Sequence, residues 1–138
     1  MPGVTHLARL GSDPQAVAIL DAPNFAVIAS STGAGLVHQS VMWVLLEGNA
    51  LLFSSVRGRM TVRNLERSPL ASVLVYDLTE PENYVSARGR VEILPDPQRE
   101  LSNRVAHKYT GRDHVERDPS AVRVVLRFTA DTAILRLL

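Results

Sequence analysis

The alternation of apolar and polar residues is cleanest between Tyr84 and Leu94. There Val85, Ala87, Val91 and Ile93 fall on one side, and Ser86, Arg88, Arg90 and Glu92 on the other. A period of two predicts a strand with one face in the core and one in water. Phe25 to Ser30 and Leu70 to Asp77, short, apolar and rich in β-branched residues, predict two more strands. Val37 to Leu46 and Leu51 to Val56 flank Glu47-Gly48-Asn49, the composition of a hairpin turn. Val122 to Leu137 reads as one long or bent strand. A helical period takes over at three places. Ser12 or Asp13 caps a short helix with Pro14 in its first turn and Val17, Ala18 and Leu20 on one side. Gly58 to Arg67 predicts a second helix, stopped by Pro69. Asp96 caps and Pro97 opens a third, with Leu101, Val105 and Tyr109 at four-residue spacing.

Six strands, few helices and mostly short turns predict a mainly β chain, folded over residues 1–138 as one domain. The expected form is a six-stranded antiparallel barrel, closed or nearly closed, with flanking helices. A doubly wound sheet is excluded because no strict strand–helix–strand rhythm is present. The runs at 41–46 and 70–76 are apolar on both faces, more than a small barrel buries within itself. A helix covering the second face is one explanation; the favoured one is burial against an identical subunit, a homodimer.

Composition narrows the partners. Lys and Arg number 15 against 14 Asp and Glu, so no overall basic field recruits nucleic acid or an anionic membrane. Without cysteine there are no disulfides, thiolate nucleophiles or Cys-based zinc sites. The opening MPGVTHLARLGSDPQ lacks the succession of a signal peptide, and the apolar run from Val41 to Leu46 is far short of a membrane span. A cytoplasmic protein is therefore expected. His6, His38, His107 and His114 have no metal-ligand spacing, and no carboxylate pair suggests a metal or acid–base site.

The segment LLFSSVRGRMTVRNLERSP, residues 51–69, carries the most chemistry. Ser54 and Ser55 end a strand, Gly58 lets the backbone turn, and a helix start offers unpaired N–H groups, which together make a recognised type of phosphate cradle. Arg59, Arg63 and Arg67 form one stripe along that helix. An exposed helix face, its arginines solvated or paired with Glu66, is the competing reading. Neither the phosphate-loop spacing nor the dinucleotide fingerprint is present. Met42 and Trp43 suit a core or a subunit interface, and Tyr84 and Tyr109 either line a pocket or cap the core.

The order VHQSVMWVLLEGNALLFSSVRGRMTVRNLERSPLASVLVYD, then YVSARGRVEIL, RVAHKYTG and VRVVLRF, resembles the pyridoxamine-phosphate-oxidase-like split β-barrel flavoproteins. It is most similar to the branch of small proteins described as users of F420, a deazaflavin coenzyme. The resemblance implies two paired barrels with a flat cofactor ring in a groove at their interface. The ring would lie along Gln39, Ser40, Val41, Met42 and Trp43, with Ser54, Ser55 and Val56 at the end of the next strand. The phosphate would lie near Arg57, Gly58, Arg59, Met60, Thr61 and Asn64. In one place the chain departs from the pattern: Thr61 stands where relatives commonly carry a lysine, so a fixed positive charge is missing. The implied activity is hydride transfer from reduced F420 to a small conjugated or unsaturated substrate. An FMN-dependent oxidoreductase and a carrier without turnover are the alternatives. No side chain is marked as catalytic, because in such enzymes the cofactor supplies the hydride.

Overall fold

The structure, a computed structural model, describes residues 4–138. In chain order the elements are β1 (Val4–Leu7), α1 (Pro14–Asp21), β2 (Ala26–Ser31), β3 (Val37–Met42), β4 (Leu45–Glu47), β5 (Ala50–Val56), α2 (Met60–Arg67), β6 (Leu70–Tyr76), β7 (Tyr84–Pro95), α3 (Glu100–Thr110) and β8 (Arg123–Leu137). The strands form one antiparallel sheet in the order β3-β2-β6-β7-β8-β5-β4, with β1 also paired to β8. The mainly β fold with three helices thus agrees with expectation, but there are eight described strands rather than six. The sheet is also open, because β3 and β4 share no ladder. Only Trp43 and Val44 separate these two edge strands, so Met42 and Leu45 lie within about 10 Å of each other. The sheet must therefore curl until its edges meet at that corner.

β7 buries Val85, Ala87 and Val91 and pairs with β8 from Tyr84 to Pro95. At Gly89 the register shifts: Arg88 faces Thr132 while Gly89 faces Ala130, leaving Asp131 as the extra residue of a bulge. A Cβ at Gly89 would run into the carbonyl oxygen of Thr129, so only glycine fits. β8 is long because, besides β7 on one edge, it serves two partners on the other, β5 along Arg123–Thr129 and β1 along Ile134–Leu137. Phe53, Leu51, Phe128, Leu126 and Leu135 are fully buried inside the curl, joined by Ala16, Ile19 and Leu20 of α1 and Val62 and Leu65 of α2. α3 packs elsewhere, placing Leu101 and Val105 on Ala50 and Leu52 in a second, smaller cluster.

Two boundaries differ from the sequence reading. The span Val37 to Leu46 is broken at Trp43–Val44, where Val44 turns fully into the core. α3 begins at Glu100 rather than at Pro97. Arg99 adopts a left-handed conformation (φ 57°), and Asp96 reaches forward to accept hydrogen bonds from the N–H groups of Glu100, Leu101 and Ser102 at 2.9, 3.1 and 3.4 Å. Within one chain β6 alternates, with Ala71, Val73 and Val75 inside and Leu70 and Ser72 exposed.

Candidate functional site

A cavity of about 330 Å³ opens between the end of β3, the flank of α3 and the starts of α2 and β8. Its apolar lining residues are Phe25, Val41, Met42, Trp43 and Val105. Its polar ones are Ser54, Ser102, Arg59, Arg123 and His114. The Ser54 and Ser102 hydroxyls lie 2.9 Å apart and tie β5 to α3. Arg59 precedes α2 as its N-cap residue, makes no side-chain cap bond, and has no ion-pair partner among the described residues. Arg123 donates from Nε to Glu116 Oε2 at 2.7 Å, and its Nη2 lies 3.0 Å from His114 Nε2. The hydrogen bond from Arg123, seconded by its charge, holds the Glu116 carboxyl down at about 2 against the opposing effect of burial.

The last turn of α3 fixes the apolar lining. The Tyr109 ring stacks on Trp43 with centroids 4.9 Å apart and planes 6° from parallel. Its hydroxyl accepts the Val44 N–H at 3.1 Å and donates to the Asn24 carbonyl at 2.5 Å. Lys108 Nζ donates to the carbonyls of Val44 and Leu20 at 2.7 and 2.6 Å. Burial lowers its pKa to about 8, with Asp21 pulling weakly the other way. Burial also raises the Tyr109 phenol, partly offset by its hydrogen bond with the Val44 backbone. Two consecutive residues thus hold both backbone groups of Val44, at the corner where the sheet's edges meet.

A sequence profile of the pyridoxamine 5'-phosphate oxidase family matches residues 12–136, nearly the whole chain. The chain belongs to this family. Among solved structures it is similar to an F420 reductase, at 25% identity and a TM-score of 0.76, covering 84% of this chain and 93% of that one. A FAD-binding protein from Mesorhizobium loti matches at 21% identity and a TM-score of 0.72, covering 100% and 99%. A pyridoxamine 5'-phosphate oxidase-related, FMN-binding protein from Nostoc punctiforme matches at 13% and 0.59, covering 79% and 71%. No curated protein matches the chain. The family is one of flavin-binding oxidoreductases, so a flavin-type site is the frame for the residues singled out from sequence.

Five of those residues, Val41, Met42, Trp43, Ser54 and Arg59, meet on the cavity wall. The others do not line it. Gln39 is exposed farther along β3, and Ser55 is buried on the opposite face of β5. Ser40 Oγ lies 3.0 Å from Thr61 Oγ1, so Thr61, only 5% exposed, ties α2 to β3. Val56 faces Arg123 across the ladder. Arg57 pairs with Glu66 at 2.9 Å and lines a second cavity of about 280 Å³. Gly58 makes the turn with φ 98°, and Met60 is 46% exposed. Asn64 is fully buried, donating to Ser30 Oγ at 3.1 Å and accepting from Arg67 Nη2 at 2.6 Å. The arginine stripe therefore contributes Arg59 alone to the cavity, while Arg67 is engaged within its own helix.

Sequence reasoning missed Phe25, Ser102, Val105, His114 and Arg123. Ser102 and Val105 share one side of a helix, a spacing visible in the chain; Arg123 carries no local signal because strand register brings it in, and His114 none because a loop tied to Asn103 does. Among the described residues no group of three or more His, Cys, Asp or Glu could hold a metal ion, and no helix is long and apolar enough to cross a membrane.

Proposed function

We propose that the chain is a homodimeric F420-dependent reductase that delivers a hydride to a small conjugated or unsaturated molecule. The observation that carries this reading is the mixed lining of the cavity: aromatic and aliphatic side chains together with two guanidinium groups and two hydroxyls. That composition suits a flat ring with an anionic arm. The similarity to an F420 reductase along 93% of that chain supports the deazaflavin over other ring cofactors. Trp43, Phe25 and Val41 would lie against the ring and exclude water, and Ser54 and Ser102 would offer hydrogen bonds along its edge. Arg59, without an ionic partner, would meet the phosphate. Bound there, the deazaflavin supplies the hydride. The chain's own part is to bind, orient and dry the site, which is why no catalytic triad is needed.

FMN is the second reading, supported by the family itself and by the FMN-binding relative. Titration with F420 and with FMN, following ring fluorescence, separates the two: stoichiometric binding of F420 with weak binding of FMN is expected, and the reverse would move the assignment to FMN. A carrier without turnover is favoured by one observation, the buried Thr61 where a charge is missing. For an enzyme, reduced cofactor is reoxidised faster with acceptor plus protein than with acceptor alone, and the rate saturates in acceptor.

A further inference from the structure

We propose that Arg123, held by Glu116 and His114, joins Arg59 to form a phosphate-binding end of the cavity and supplies the charge that Thr61 does not. This rests on reading the cavity as the cofactor site. Register brings the two arginines to one corner: Val56 stands opposite Arg123 in the β5–β8 ladder, and the Arg59 N–H donates back to the Val56 carbonyl at 3.2 Å. The next rung is closed by Arg57 N–H donating to the Val122 carbonyl at 2.9 Å. The Arg123 side chain is only 9% exposed, yet it lines the cavity, whereas Glu116 does not.

An arginine only donates, so His114 Nε2 can accept from Arg123 Nη2 with the imidazole proton on Nδ1; the same Nε2 also lies 3.4 Å from Glu116 Oε2. With Nε on Glu116 and Nη2 on His114, Nη1 has no hydrogen-bond partner among the described residues. The planar group is thus fixed on one edge and open on another, the arrangement that recognises a phosphate oxygen pair. The FMN phosphate, a monoester, carries about −1.5 to −2 at neutral pH, more than Arg59 alone offsets, and the singly charged diester of F420 presents two free oxygens for two guanidinium groups. Glu116 does not cancel the pair, because Arg99 Nε also approaches it at 3.9 Å, so that one carboxylate is shared between two guanidinium groups and Arg59 has none. The two positions nearest in sequence are diverted, Arg57 to Glu66 and Thr61 to Ser40. A competing account is that Arg123, Glu116 and His114 only staple the loop between α3 and β8.

The pair FMN and riboflavin, which differ by the phosphate alone, decides between them; F420 against its deazaflavin ring without the anionic tail is the second comparison. The double variant Glu116→Gln/Arg123→Gln removes the charge without leaving a buried carboxylate unpaired. It is expected to weaken FMN and F420 by about tenfold or more and to leave the phosphate-free partners unchanged. Equal losses for both members of a pair, or none, would overturn the assignment to Arg123 while leaving the cofactor reading intact. If the parent binds none of the four, the cofactor reading fails and the proposal with it. Should the double variant not fold, the parent still answers. Its Arg123 Nε–H resonance, assigned by its loss in Arg123→Lys, is expected to shift with FMN and not with riboflavin. A loop staple would show no such difference.

Discussion

Thr61 is buried and hydrogen-bonded to Ser40, so a lysine there would break the tie between β3 and α2 and have to leave the core. Thr61→Lys is expected to lower stability by about 1–3 kcal/mol, read from denaturant unfolding, even if its ammonium reaches the cavity. Arg59 and Arg67 lie on the same helical stripe but differ in what they touch. Arg59→Ala is expected to weaken F420 or FMN by about 1.5–3 kcal/mol, the scale of a charge-assisted hydrogen bond, with little change in folding. Arg67→Ala removes the partner of the buried Asn64 carbonyl and is expected to cost stability while sparing affinity. A titration and a melt of each variant show whether the two effects separate in this way. At this scale the sequence identified residue types well and destinations poorly. Ser-Ser, Gly and Arg at 54–59 suggest an anion site, but whether a given side chain faces the cavity, a neighbouring carboxylate or the core depends on contacts with β2, β3 and β8.

Among the elements, α3 sets the site more than any strand does, because its last turn holds the corner at Val44. Tyr109→Phe keeps the stack on Trp43 but leaves the Val44 N–H and the Asn24 carbonyl without their partner. A loss of about 1–3 kcal/mol is expected. Trp43 is the only tryptophan, so its emission should report the loosened corner even before any ligand is added. Lys108 adds a pH dependence of definite sign. Its pKa falls from 10.5 in the unfolded chain to about 8 in the folded one, so between these values the unfolded chain holds a proton that the folded chain has released. Stability from this group therefore rises with pH across that window. The difference between the parent and Lys108→Met, measured by urea unfolding at pH 8 and near pH 10, should show that rise. The regular elements were legible because their signals are local: the alternation along β7, the Asp13 cap of α1, the breaker at Pro69. The split of one expected strand into β3 and β4 was not, because the groups that bend it at Val44 lie some 65 residues away on α3.

At the scale of the whole molecule, the outer face of the β3-β2-β6 half carries an apolar row. Val41 stands opposite Val27, and Val27 opposite Leu74, so three strands present valine and leucine side by side. Val37 and Leu36 continue the exposed apolar surface along the edge strand at 65% and 68% exposure, and Trp43 ends it beside the cavity. Isolated exposed apolar residues need no explanation, but a row across paired strands that leads to the cavity does. Pairing with a second copy would cover this face and close the open side of the cavity, the arrangement expected of a shared ring-binding groove. A stable interface of this kind buries about 1,200–2,000 Å² in total, enough to survive dilution to low micromolar concentration. The parent is accordingly expected to show a dimer mass in light scattering at that concentration. Leu36→Glu/Val37→Glu, which alters no residue lining the main cavity, should yield a folded monomer. If that monomer binds F420 and FMN as tightly as the dimer does, the groove belongs to one chain. Weakened binding would place part of it on the second copy. A monomeric parent would count against the shared groove and leave the apolar row to some other cover.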